Sequence, residues 1–162
     1  MPSNAIPDSL AQYVELLREL HLLTVSGHEC TAAADTVRDR MDEPWSHLDD
    51  AMIDRVRGLS ADLYTIEGVP RREVPLPPIA ASTSLAQQLV LAKNARDWDK
   101  ALRLLRDIAP YLAPESVAHI RGTIWLELGF PSIAVLFFRY ASRIAVEKTE
   151  NAWIIEPVRL AH

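Results

Sequence analysis

The residues with the most chemical potential stand together near the N-terminus: His28, Glu29 and Cys30. His28-Glu29 opens like the His-Glu-x-x-His helix that holds zinc through two histidines one turn apart. The fifth position is Ala32, however, so the second ligand is missing. His28 and Cys30 are two residues apart, and on a helix such a pair points to different sides. As a nucleophile Cys30 would need a base and electropositive surroundings, whereas Glu29, Asp35, Asp39 and Asp42 are its neighbours, so it reads as a small buried hydrophobe. The acids Asp42, Glu43, Asp49, Asp50 and Asp54 lack the order of a calcium loop and are expected at helix starts, where the macrodipole favours carboxylates. No phosphate-binding glycine loop and no Gly-x-Ser-x-Gly elbow occurs. No catalytic set, no metal and no cofactor is therefore expected.

Arg96, Lys100, Arg103 and Arg106 recur at helical spacing, and Arg139 with Arg143 forms a second pair. Asp97, Asp99 and Asp107 dilute the first stripe and the chain carries a net charge of −5, so a solvated outer face is favoured over phosphate or nucleic-acid binding. The charge is uneven: residues 1–68 hold 5 arginines against 13 acids, and residues 69–162 hold 12 Lys and Arg against 9 acids. The front half is acidic and the back half mildly basic.

The elements that would position these residues are helical. Hydrophobic residues make up 49% and charged residues 24% of the 162, an ordinary globular balance, and only five glycines occur. A single cysteine makes no internal disulfide, the first residues lack a basic start and an apolar stretch, and Gly122–Phe138 is too short and too interrupted to span a bilayer. A cytoplasmic protein with no membrane association is expected. A capping box at Ser9-Leu10-Ala11-Gln12 predicts a first helix burying Leu10, Tyr13, Val14, Leu17 and Leu20. Ser26-Gly27-His28-Glu29 predicts the start of a second, with Cys30, Ala33, Val37 and Met41 inward. A third is expected from Ser46, burying Leu48, Met52, Val56, Leu59 and Leu63.

Residues 1–66 thus read as an acidic three-helix bundle. Residues 67–83, broken by Gly68, Pro70, Pro75, Pro77 and Pro78, read as an extended linker or strap whose Val69, Val74, Leu76 and Ile79 lie along the protein. Four helices are expected over residues 84–162: Ser84 to Ala95, Asp97 to Ala109, Pro114 to Leu128, and Pro131 to Lys148. Trp153, Ile154 and Ile155 are expected to fold back on the last.

Within that half, Gly122, Trp125, Gly129, Ala134, Phe138 and Ala141 occupy the small, aromatic, turn-glycine, small, aromatic and small positions of a helical hairpin. This segment resembles the tetratricopeptide repeat. A weaker copy precedes it, with Leu89, Ala92, Ala101, Leu105 and Ile108 in the equivalent places, but Arg96 stands where the turn glycine belongs and Gln88 where an apolar residue is usual. Residues 1–66 show no clear third copy.

The fold class is therefore all-α: an N-terminal three-helix bundle followed by two hairpins of this type. The resemblance implies a non-enzymatic adaptor that receives a protein or peptide segment on the first helix of each hairpin. The contact residues would be Ser116, His119, Thr123, Leu126 and Glu127 in the better copy, and Ala86, Val90, Lys93 and Asn94 in the weaker one. The Lys and Asn pattern with which some members clamp a terminal carboxylate is not reproduced. Two other classes stay open: a structural subunit forming a homo-oligomer through its apolar tail, and an enzyme with a site between the halves built from His21, His47, His119 and Glu127.

Overall fold

Three of the helix starts are set by one side-chain oxygen each. Thr31 accepts from the Ala34 amide at 3.4 Å, Asp49 from Met52 at 2.8 Å and Asp97 from Lys100 at 3.2 Å. A computed structural model describes residues 6–66 and 79–155 of the chain. Its helices are α1 (Asp8–Val25), α2 (Ala32–Trp45), α3 (Asp50–Tyr64), α4 (Ile79–Asn94), α5 (Trp98–Ile108), α6 (Pro114–Glu127) and α7 (Pro131–Ile155), with a 3-10 turn at Ala109–Tyr111. No strand occurs among the described residues, and the protein is all-α. The chain divides into two compact units, Met1–Glu73 and Val74–His162.

In unit 1, α1 packs on α2 and, less extensively, on α3. Leu10, Val14 and Leu16 of α1, Ala34 and Val37 of α2, and Val56, Leu59 and Leu63 of α3 are buried. Tyr13 and Trp45 pack with ring centroids 5.4 Å apart. Burial pushes the Tyr13 hydroxyl pKa up, and the nearby Asp42 carboxylate pushes it further the same way.

Several local expectations are corrected here. The first helix begins at Asp8 after Pro7, whose carbonyl accepts from the Ala11 amide at 3.0 Å. Ser9 therefore lies inside the helix and forms no capping box. Ser26 closes α1 instead of opening α2: its hydroxyl donates to the Leu22 carbonyl at 2.8 Å, and Gly27 follows with φ 74°. The chain needs four more residues before Thr31 can cap α2, which leaves Cys30 exposed in the turn rather than buried. On α2 itself Val37 is buried as expected, whereas Ala34 takes the buried place expected of Ala33, which is exposed. Likewise α2 runs through Pro44 to Trp45, and α3 starts only at Asp50, leaving Leu48 in the joint.

In unit 2, each of α4, α5, α6 and α7 has its substantial contacts with its neighbours in the chain. The turns α4/α5 and α6/α7 are closed by the same three backbone hydrogen bonds. Ala95, Arg96 and Asp97 donate to Leu91, Lys93 and Ala92; Leu128, Gly129 and Phe130 donate to Ile124, Leu126 and Trp125. This six-to-one closure ends a helix with one residue in the left-handed region, and both Gly129 (φ 88°) and Arg96 (φ 55°) adopt it. The α1 turn repeats the scheme through Leu22, Leu23 and Thr24 with Gly27, but three residues separate it from the next cap.

Ala101 and Ala134, at corresponding places on the second helix of each pair, are both fully buried, at 0% and 1% exposure. The interior of the α6/α7 pair departs from the sequence pattern at one aromatic. Phe137 is the fully buried ring, while Phe138 is partly exposed and lies over Gly122. A Cβ at Gly122 would stand 2.6 Å from Phe138 Cε1, so only glycine lets that ring lie there. Trp125 is wholly buried beside Phe130, with ring centroids 5.7 Å apart.

Two boundaries also move. Ile79 opens α4 instead of ending a strap, while Val69, Val74 and Leu76 lie outside the described residues. The backbone of Trp153, Ile154 and Ile155 continues α7 without a reversal, because no helix breaker intervenes after Pro131.

Candidate partner-binding surface

Helix α6 starts with Pro114 in its first turn, where a missing amide costs nothing. Its buried residues fall on two sides. Ala118, Gly122 and Trp125 face the hairpin interior, and Val117, Arg121 and Ile124 lie on the side turned from it. Of the remaining surface, a strip spanning about 80° of the helix carries Ser116, His119, Thr123 and Leu126. Ser116, His119 and Leu126 are exposed, Leu126 to 50%, and Thr123 is half-buried. Glu127 at the margin is exposed as well. The Thr123 hydroxyl donates to the His119 carbonyl at 3.0 Å, so it is turned along the helix.

The N-terminal half of this strip opens into a groove of about 540 Å³ between α6 and α7, lined by Glu115, Ser116, His119 and Ile120 on one side and Ala141, Ser142 and Ala145 on the other. The space exists because α7 presents small residues opposite the strip. At Glu115 the Lys148 ammonium donates to Oε1 at 2.6 Å, tying α7 to the start of α6. That hydrogen bond is the main cause holding the Glu115 pKa below its ordinary value, so the carboxylate stays ionised at neutral pH. The His119 imidazole packs on Phe138 with centroids 5.4 Å apart and planes at 57°. The floor of Ile120, Ala141 and Ala145 is apolar and the rim carries two hydroxyls.

The residues expected on the first helix of the weaker copy sit on α4: Val90, 56% exposed, with Asn94 exposed and Lys93 and Ala86 half-buried. With the two turns superposed, Ala86, Val90, Lys93 and Asn94 correspond to His119, Thr123, Leu126 and Glu127. The sequence reading missed Glu115, Ile120, Ser142 and Ala145; Ala141, a small position of the hairpin pattern, is buried and also lines the groove. The signal was the run of small residues on α7, Ala141, Ser142 and Ala145, which reads as close helix packing and here lines an open groove.

Comparison with family models, with curated proteins and with solved structures finds no match for this chain.

Of the loose ionisable residues, His21 is buried in unit 1, His47 is exposed beside Glu43, and His119 and Glu127 are exposed on α6. Among the described residues no group of three or more His, Cys, Asp or Glu is placed to hold a metal ion, and no helix is long and apolar enough to cross a membrane. Of the basic residues, Arg143 lies 5.3 Å from the Tyr140 ring centroid and 3.9 Å from Glu147.

Proposed function

We propose that the chain is a helical-repeat interaction protein of the tetratricopeptide type, and that the strip on α6 together with the groove beside it receives a segment of a protein partner. The observation that carries this reading is the exposed strip of Ser116, His119 and Leu126, which combines one apolar side chain, one imidazole and a hydroxyl on a helix that buries Val117, Ala118, Arg121, Gly122, Ile124 and Trp125 on its other faces. A surface of this mixed kind pairs apolar contact with directed hydrogen bonds, as recognition of a peptide segment requires. Val90, Lys93 and Asn94 would extend the same surface over α4, and Thr123 and Glu127 complete it on α6.

The test compares three forms of the tagged full chain in affinity capture from the native cell extract: wild type, the double variant H119E/L126E, and R103E, which alters an exposed residue of α5. Because the altered residues are exposed, helical content should stay near wild type in all three. Partners captured by wild type and R103E but lost from the double variant would support the strip. Capture undiminished in H119E/L126E would place the partner site elsewhere and sink the assignment.

A further inference from the structure

The correspondence that superposes the two turns of unit 2 also superposes its outer faces on its inner ones. Val117, Arg121 and Ile124 are buried on the side of α6 turned from the hairpin interior, and α5 is the other helix with which α6 has substantial contact. Their counterparts on α4 are Ser84, Gln88 and Leu91, all exposed, with Leu91 at 67% against 0% for Ile124. At the opposite end, Leu102 and Ala109 are 3% and 2% exposed, with Arg106 between them. Their counterparts on α7 are Val135, Ser142 and Arg139, again all exposed, with Val135 at 42%. The chemistry is retained although the cover is not: Val for Leu, Arg for Arg and Ser for Ala on α7, Leu for Ile and Gln for Arg on α4.

We propose that unit 2 binds a second copy of itself head to tail, the Val135-Arg139-Ser142 face of α7 meeting the Gln88-Leu91 face of α4 in the next chain and continuing the contact that α5 makes with α6. Such a contact uses two different faces and is not satisfied within a pair, so copies add beyond two, in a row or a ring. One helix against one helix is a small interface, so association is weak and set by concentration. The α6 strip takes no part in it, and Ser142, at the rim of the groove beside that strip, is the one residue the two surfaces share, so substitutions at Leu91 and Val135 test this contact apart from the partner reading.

Sedimentation of the full chain from roughly 10 μM to roughly 1 mM tests it, since a small interface falls in that range. The average mass of wild type should rise past two chains. L91K and V135K should each stay at one chain with unchanged helical content, and L91Q and V135T serve as a milder pair if either lysine variant fails to fold. An equimolar mixture of L91K and V135K leaves one compatible pair of faces and should reach two chains and no more. A wild type that stays at one chain throughout, a single variant that still associates, or a mixture that does not, would each overturn the proposal.

Discussion

Arg96 is the residue whose backbone conformation disagrees most with its side chain. It ends α4 with φ 55°, in the same hydrogen-bonded closure that Gly129 provides at φ 88° for α6. A non-glycine residue pays for the Cβ contact in that region, by about 1–2 kcal/mol, and glycine returns part of the difference through the entropy of the unfolded chain. Arg96→Gly should therefore raise stability by about 0.5–1 kcal/mol, read as a higher urea midpoint; an unchanged or lower midpoint would show that the turn is not held left-handed. Phe137 and Phe138 separate in the same way. Phe137→Ala should cost about 3–5 kcal/mol because the ring is fully buried, while Phe138→Ala should cost about half as much. Equal losses would contradict the burial difference. At Glu115 the lowered pKa makes the Lys148 contact a source of stability that is present above the ordinary carboxylate value of 4.5 and is lost as pH falls through the lowered folded value. Lys148→Met should lower the melting temperature slightly at neutral pH, and the two curves should converge on the acid side of that value. A gap that persists at low pH would mean that Lys148 acts through packing of its stem.

At the scale of elements, Ala134 on α7 is 1% exposed and leaves no room for a larger side chain. Ala134→Leu should overpack that site and cost about 1–3 kcal/mol, read by thermal unfolding; an unaltered melt would show that the helices can part there without loss. The starts of α6 and α7 were legible because Pro114 and Pro131 punctuate the chain and a proline is best accommodated in the first helical turn. The period of Val56, Leu59 and Leu63 likewise named the buried face of α3. The start of α2 was not legible, because Ser26 is followed by a glutamate three residues on and so imitates a start, while its hydroxyl serves the end of the preceding helix. The first turn of unit 2 was read in its place between Ala95 and Asp97, but its left-handed conformation was not, because that position is usually announced by glycine and here the backbone hydrogen bonds impose it on Arg96. Gln88 is polar at a place that is usually apolar because the face that carries it, next to Leu91, is uncovered. The strip on α6 followed from spacing alone, whereas the groove beside it required the path of a second helix and could not be read from one.

The whole molecule pairs an acidic front with a mildly basic back, and the two compact units divide the chain near that change of sign. Unit 2 also has a feature with a bearing on time. Its substantial helix contacts join α4 to α5, α5 to α6 and α6 to α7, each a pair of successive segments. Short loops of chain are then all that must be closed before burial begins to reward the closure, and domains built this way are among the fast folders. During synthesis, the α4/α5 pair can form as soon as Ile108 has left the ribosome, and each later helix finds its docking partner already in place. The order of translation is thus also an order of assembly, and no segment has to wait for a distant one to be made.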